Sequence, residues 1–142
     1  MISKTYGKFM VGALNKEIDF EADTIKCMLL NSHTPDQDVH QYLDDIQADE
    51  VTGDGYTAGG ATVTGKSMTY DAPSNKVTIT CGNITWGSST ITATHAVFYV
   101  STGTASTSLL INYHDFEGAL VSANGDFTVT IHANGLAEFY ST

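Results

Sequence analysis

Apolar side chains near the start of the chain recur three and four positions apart, which places them on one stripe of a helix. The members of this stripe are Tyr6, Phe9, Met10, Ala13 and Leu14. The spacing predicts a short amphipathic helix over residues 4–14, although two glycines weaken it. A helix of this length is marginal in water on its own, so it has to pack on its own domain or on another protein.

Beyond residue 17 the period of the pattern changes from that of a helix to that of a strand. Apolar and acidic residues alternate over 18–23, and a nearly continuous apolar run follows over 24–30. After a break at Pro35, apolar residues return at helical spacing and predict one or two helical turns near 36–47. We therefore expect an N-terminal helix or arm, residues 1–16, followed by one domain, residues 17–142.

The rest of the chain is typical of short antiparallel strands separated by turn sequences. Strands rich in Thr, Val, Ile, Phe and Tyr are predicted at 61–70, 76–81, 92–101, 109–116, 126–133 and 135–140. No helix long enough to connect parallel strands lies between them. The pattern predicts an all-β, mainly antiparallel fold, either a β-sandwich or barrel-like. A chain of 142 residues fits a single domain.

Charge is scarce and strongly acidic, which limits the classes of partner. Sixteen Asp and Glu face six Lys and no Arg, a formal net charge of −10. Eleven of the acidic residues lie between Glu17 and Asp54. Phosphate groups of nucleic acids and anionic membrane surfaces would be repelled, so we expect neither as a partner. The later strands are nearly neutral and rich in threonine, a surface that can pack on another protein with little desolvation of charge.

No motif indicates a catalytic, cofactor or metal site, and we expect a protein that is not an enzyme. The glycine-rich loop 53–60 lacks the Lys-Ser/Thr ending of a phosphate-binding loop. The five histidines have no zinc-ligand spacing, and no nucleophile elbow is present. A solvated acidic face is favoured, but a loose surface Ca²⁺ site remains an alternative, built from Asp44, Asp45, Asp49, Glu50 and Asp54.

Two cysteines allow one disulfide or two free thiols. Cys27 and Cys81 both lie in apolar or β-rich runs, where a thiol usually behaves as a small buried side chain. Buried free thiols are therefore favoured over a bridge, which is consistent with synthesis in a reducing cytoplasm.

Two segments carry a resemblance to a known family. They are the strand Asp23-Thr24-Ile25-Lys26 and the loop from Val51 to Gly60, with the pattern Val-Thr-Gly-x-Gly-Tyr-x-x-Gly-Gly. Weaker similarity continues through the amphipathic start, the Trp86 region, Ala96-Val97-Phe98-Tyr99, Leu109-Leu110-Ile111, Asp115-Phe116 and Asn134-Gly135. On these features the chain, from about residue 5 to 140, resembles small virion structural proteins of tailed bacteriophages.

The resemblance implies a non-enzymatic component of the virion, made in the host cytoplasm. A capsid decoration or cement protein on the outer shell of the head is the expected role, with the major capsid protein or further copies of itself as partners. The alternatives are a tail, neck or fibre component, or a receptor- or carbohydrate-binding module that uses Trp86 and the tyrosines. The family has no catalytic residues to carry over.

Two groups of residues are candidates for contact with a partner. Tyr6, Phe9, Met10 and Leu14 would anchor the N-terminal helix, although the same stripe could instead cover the domain's own core. Tyr56 would contact a partner from the glycine-rich loop, where its glycine neighbours allow close approach of the backbone.

Overall fold

Ten β-strands and one α-helix make up the computed structural model, which describes residues 1–142. The helix, α1, spans Gly7–Leu14. The strands are β1 Ile2–Thr5, β2 Ile25–Leu30, β3 Ala61–Thr62, β4 Ser67–Asp71, β5 Lys76–Thr80, β6 Ile84–Ser89, β7 Thr92–Val100, β8 Leu110–Val121, β9 Gly125–Val129 and β10 Ala137–Tyr140. Three short 3-10 helices span Leu43–Asp45, Gln47–Asp49 and Ala105–Thr107.

All strand pairs are antiparallel, which confirms the all-β prediction. The main sheet has the order β1-β8-β7-β2-β3, the second sheet has the order β10-β5-β4, and β6 pairs with β9. None of the three sheets closes into a barrel.

The main sheet is buried on both faces at its centre. In β2, Cys27 and Leu29 point to one face and Met28 and Leu30 to the other, and all four side chains are buried. This two-sided burial explains why the sequence of β2 is a continuous apolar run rather than an alternating one. Cys27 and Cys81 are both buried and form no disulfide, which is the alternative that the sequence pattern favoured.

The N-terminus differs from the prediction of a single helix over 4–14. Residues Ile2–Thr5 form the edge strand β1, in register with Asp115 to Asn112 of β8, and the helix begins only at Gly7. The strand forms because β8 offers it a free edge, and that partner lies more than a hundred residues away in sequence. The N-terminal segment is thus built into the main sheet.

Several other element boundaries also differ from the sequence prediction. Residues 18–23 form turns instead of a strand, because Asp19 and Asp23 accept hydrogen bonds from nearby backbone amides. The predicted strand 61–70 is interrupted between β3 and β4, where Gly65 has a φ of +65°. The helical insertion predicted near 36–47 is present only as a turn at 37–39 and the 3-10 helices at 43–49.

Strand β6 was not predicted, because its Gly87-Ser88-Ser89 sequence is typical of a turn. The strand pairs with β9 across an irregularity between Trp86 and Ser89. The Ser89 hydroxyl is buried and is satisfied by Trp86 O, Gly125 O and the Ser122 hydroxyl. These contacts compensate the polar sequence of the strand.

Candidate partner-binding surface

The helix α1 is apolar on two opposite sides. Phe9 and Gly12 are buried, and the Phe9 ring packs 6.1 Å from that of Phe139 in β10. On the other side Met10, Val11 and Leu14 are 39%, 60% and 87% exposed. We call these three residues the α1 surface.

The predicted anchoring residues are therefore divided between the core and the solvent. Tyr6 is 0% and Phe9 2% exposed. The Tyr6 amide donates to the Ile111 carbonyl, and the Tyr6 ring lies 5.4 Å from that of Tyr113. Because both side chains hold α1 on the protein's own core, the candidate surface is corrected to exclude them. Met10 and Leu14 remain in it, and Val11 joins them.

Val11 was not among the residues predicted for this surface. Val11 lies outside the stripe that contains Phe9, so the one-stripe pattern omitted it. The sequence nonetheless indicates a second apolar side of α1, because Lys8 is its one charged residue and all the others are apolar or glycine. A helix that is apolar all round is usually buried all round.

An apolar cleft lies beside α1. It separates the helix and the turn at 18–23 from the second sheet, and its volume is about 610 Å³. Its apolar lining residues include Phe9, Ile18, Ile79 and Phe139. Met68 of β4 also lines the cleft and is 47% exposed. The only charged groups in the lining are Lys16, Asp19 and Asp23. The α1 cleft and the α1 surface place apolar groups on both sides of one short helix.

Tyr56 has an internal role rather than an exposed one. Its hydroxyl accepts a hydrogen bond from the Leu29 amide at 3.1 Å and donates one to Glu50 Oε1 at 2.8 Å. The ring packs 5.8 Å from that of Trp86. Burial raises the pKa of Tyr56, so the hydroxyl stays protonated and remains a donor. Tyr56 thus fastens the glycine-rich loop to β2, and the half-buried side chain presents no free hydroxyl to a partner.

The glycines of this loop allow close approach within the chain. A Cβ atom on Gly60 would lie 1.8 Å from the Cys27 carbonyl oxygen, and Gly60 has a φ of +79°. The Gly59 amide donates to Glu50 Oε1 at 2.6 Å, and its carbonyl accepts from the Tyr99 hydroxyl at 2.7 Å. Burial raises the pKa of Tyr99 to about 12, so this donor also persists at neutral pH. The loop therefore serves to cover the edge of β2.

The carboxylates proposed for a Ca²⁺ site are directed to different partners. Asp45 accepts hydrogen bonds from the Gln41 and Tyr42 amides, and the first of these is the main reason that its pKa is lowered. Asp49 lies 2.8 Å from His33 Nδ1, and Glu50 is engaged by Tyr56 and Gly59. No three His, Cys, Asp or Glu side chains converge on a position for a metal ion.

Trp86 is 6% exposed and lies between the rings of Tyr56 and Phe127. It therefore forms part of the core and does not offer a stacking surface. No helix is both long enough and apolar enough to cross a membrane.

Comparisons of the chain with protein-family models, with curated proteins and with solved structures find no match.

Proposed function

We propose that this protein is a non-enzymatic structural component of a tailed-bacteriophage particle, a decoration or cement protein that binds the outer shell of the head. The observation that supports the proposal is the α1 surface, three large apolar side chains exposed together beside an apolar cleft. Contiguous exposed apolar groups of this kind mark interaction sites in soluble proteins. The partner is the major capsid protein or another copy of this chain.

The size of the α1 surface sets a limit on what it contributes. Burying a fully exposed large apolar side chain contributes about 1.5–3 kcal/mol. Because the three are 39%, 60% and 87% exposed, burying what remains exposed contributes roughly 3–6 kcal/mol before the costs of association. Micromolar binding needs about 8 kcal/mol net. Attachment therefore requires the α1 cleft or a neighbouring subunit in addition, as in a lattice where each copy has several contacts.

The acidic segment gives the interface an electrostatic component. Most of the eleven carboxylates between Glu17 and Asp54 are exposed, and the chain has no Arg and few Lys with which to pair them. Positively charged side chains at an electrostatic interface would have to come from the partner. Attachment should then weaken as the salt concentration is raised.

The α1 surface is tested by a double substitution, Val11→Ser with Leu14→Ser, measured by co-sedimentation with heads purified from a phage that lacks this gene. We expect at least a tenfold loss of affinity. The matched control is Leu120→Ser with Val121→Ser, which removes two apolar side chains that are 44% and 68% exposed near the end of β8. The control should bind like the wild type. Equal binding by the Val11/Leu14 variant would exclude α1 as the contact.

The location on the particle is tested separately by electron cryomicroscopy of the intact virion. Density for this chain repeated over the capsid shell is the expected result. Density confined to the tail, neck or fibres would refute the decoration role and favour the tail alternative. The carbohydrate-binding alternative has no support from Trp86, which is buried.

A further inference from the structure

Five aromatic and imidazole rings form a closed circuit on one face of the main sheet. Neighbouring ring centroids are 5.4–6.5 Å apart in the order Tyr6, His40, His33, His95, Tyr113 and back to Tyr6. The residues come from the start of α1, the segment 33–40, β7 and β8. We call this set the histidine ring.

Three polar atoms of the histidine ring are buried without any hydrogen-bond partner: Tyr6 OH, His33 Nε2 and His95 Nε2. Buried polar atoms without partners are rare in folded proteins. The His33 and His95 residues are 7% and 6% exposed, and Tyr6 is fully buried. Three such atoms in one cluster indicate a site that is sensitive to the binding of a proton.

The partners of the Nδ1 atoms bear on which nitrogen of each neutral imidazole carries the hydrogen. His33 Nδ1 lies 2.8 Å from Asp49 Oδ2, and His95 Nδ1 lies 2.8 Å from the Thr94 hydroxyl, which itself donates to the Leu30 carbonyl. The Asp49 carboxylate only accepts, so His33 Nδ1 is a donor and its Nε2 atom carries a bare lone pair. With the Thr94 hydroxyl directed to Leu30, at 3.4 Å, His95 Nδ1 is a donor as well and its Nε2 atom is likewise bare. A proton added to either Nε2 would find no acceptor within hydrogen-bond distance.

Several charged groups lie near the histidine ring, but none is within hydrogen-bond distance of either Nε2 atom. They are Lys8 of α1, Asp36 and Asp38 of the segment 33–40, Asp45 and Asp49 of the 3-10 helices, and Asp115 of β8. Asp115 Oδ2 comes nearest to His95 Nε2, at 3.7 Å, which is too long for a hydrogen bond. The Asp49 and Asp115 side chains are 46% and 32% exposed, so solvent screens their attraction for a proton.

Protonation of two imidazoles would also place like charges close together. The His33 centroid is 5.6 Å from that of His95 and 5.7 Å from that of His40. Burial, opposed by Asp115 and reinforced by His33, lowers the pKa of His95 below its ordinary value of 6.5. The folded arrangement therefore favours the neutral form of the His95 imidazole, whereas this imidazole would accept a proton more readily once the cluster has opened.

The segment that carries His33 and His40 also holds the start of α1. The Gly7 amide donates to the Gln37 carbonyl at 3.0 Å, and Lys8 Nζ donates to the Val39 carbonyl at 3.0 Å. The Gln37 side chain in turn donates to the Thr5 carbonyl at 2.9 Å. Displacement of the segment 33–40 would release all three contacts and loosen the N-terminal end of the helix.

We propose that the histidine ring is a pH-sensitive switch. It holds the segment 33–40 and the start of α1 in place while the His95 imidazole is neutral, and it releases both when that imidazole is protonated under mildly acidic conditions. The switch concerns only conformations of this chain. It therefore holds or fails independently of what the α1 surface binds.

The test is amide hydrogen exchange followed by NMR at about pH 7.5 and about pH 5.5, on either side of the ordinary His pKa, with rates corrected for their intrinsic pH dependence. The reporters are the amides of Gly7 and His40, which donate to Gln37 O and Asp36 O. The opening equilibrium shifts by up to about tenfold per pH unit for each proton taken up, so we expect protection to fall by about tenfold or more. The Leu136 amide, bonded to Ile79 O in the second sheet, reports global unfolding, which protonation of His114 also promotes. The protection of Gly7 and His40 should therefore fall by clearly more than that of Leu136.

The double variant His33→Gln with His95→Gln should lose most of this pH dependence, and His132→Gln, outside the ring, should retain it. Unchanged or increased protection of Gly7 and His40 in the wild type at the lower pH would overturn the proposal. An equal loss of their protection in the double variant would overturn it as well. If the double variant does not fold, imidazole ¹⁵N shifts of the wild type decide. Protonation of His95 must then coincide with the loss of protection, and a separate midpoint refutes the switch.

Discussion

Removing the Tyr56 hydroxyl tests the role assigned to the glycine-rich loop. In Tyr56→Phe the ring can still pack on Trp86, so the change is confined to two hydrogen bonds. The first is the bond that the Leu29 amide donates to the Tyr56 hydroxyl. Leu29 lies in β2 beyond the two residues that pair with β3, so β3 offers this amide no acceptor. Leu29 is fully buried, so its N–H group would have no partner.

The expected cost follows from these two bonds. An unsatisfied buried amide costs about 1–3 kcal/mol. The bond donated to Glu50 adds less, because Glu50 is half-buried and water can replace the hydroxyl. We expect the free energy of unfolding to fall by about 2–3 kcal/mol, a large share of the 5–15 kcal/mol typical of a domain.

Urea unfolding followed by the fluorescence of Trp86, the only tryptophan, measures this change. The matched control is Tyr70→Phe, whose hydroxyl is bonded to Asn75 Oδ1 on a side chain that is 59% exposed. The control should cost less than about 0.5 kcal/mol. If Tyr56→Phe is no more destabilising than Tyr70→Phe, the hydroxyl does not fasten the loop.

Two further predictions concern close packing and pH. Gly60→Ala would bring a Cβ to 1.8 Å from the Cys27 carbonyl oxygen, so we expect the free energy of unfolding, measured by thermal unfolding, to fall by more than about 3 kcal/mol. The control Gly103→Ala, at a φ of +86° with no atom within 4 Å, should cost only about 1–2 kcal/mol. Similar costs for the two variants would contradict the close approach. Burial lowers the pKa of His114 from 6.5 to about 4, so the unfolded state binds more protons below pH 6.5 and stability falls as pH falls toward 4. The difference of about 2.5 pH units corresponds to about 3 kcal/mol, which urea unfolding at a series of pH values should detect and His114→Gln should reduce. A stability that is constant between pH 6.5 and 4 would contradict the buried neutral imidazole.

The candidate surface was predictable only in part. The apolar spacing identified Met10 and Leu14, which are exposed, together with Tyr6 and Phe9, which are buried. A helix pattern shows which side chains share a side, but it does not show which side meets the core. That choice depends on Phe139 and Ile111, which approach α1 from elements near the other end of the chain.

What the sequence determined by itself was the all-β class, the single continuous apolar strand β2 and the position of the acidic segment. These features are local, because the side-chain period and the charge of a segment do not depend on its neighbours. The tertiary structure alone decided that residues 2–5 form a strand, that Tyr56 faces inward and that Tyr6, His33, His40, His95 and Tyr113 meet. Each of these depends on sheet register and on contacts between residues far apart in sequence, for which the local pattern of the chain holds no signal.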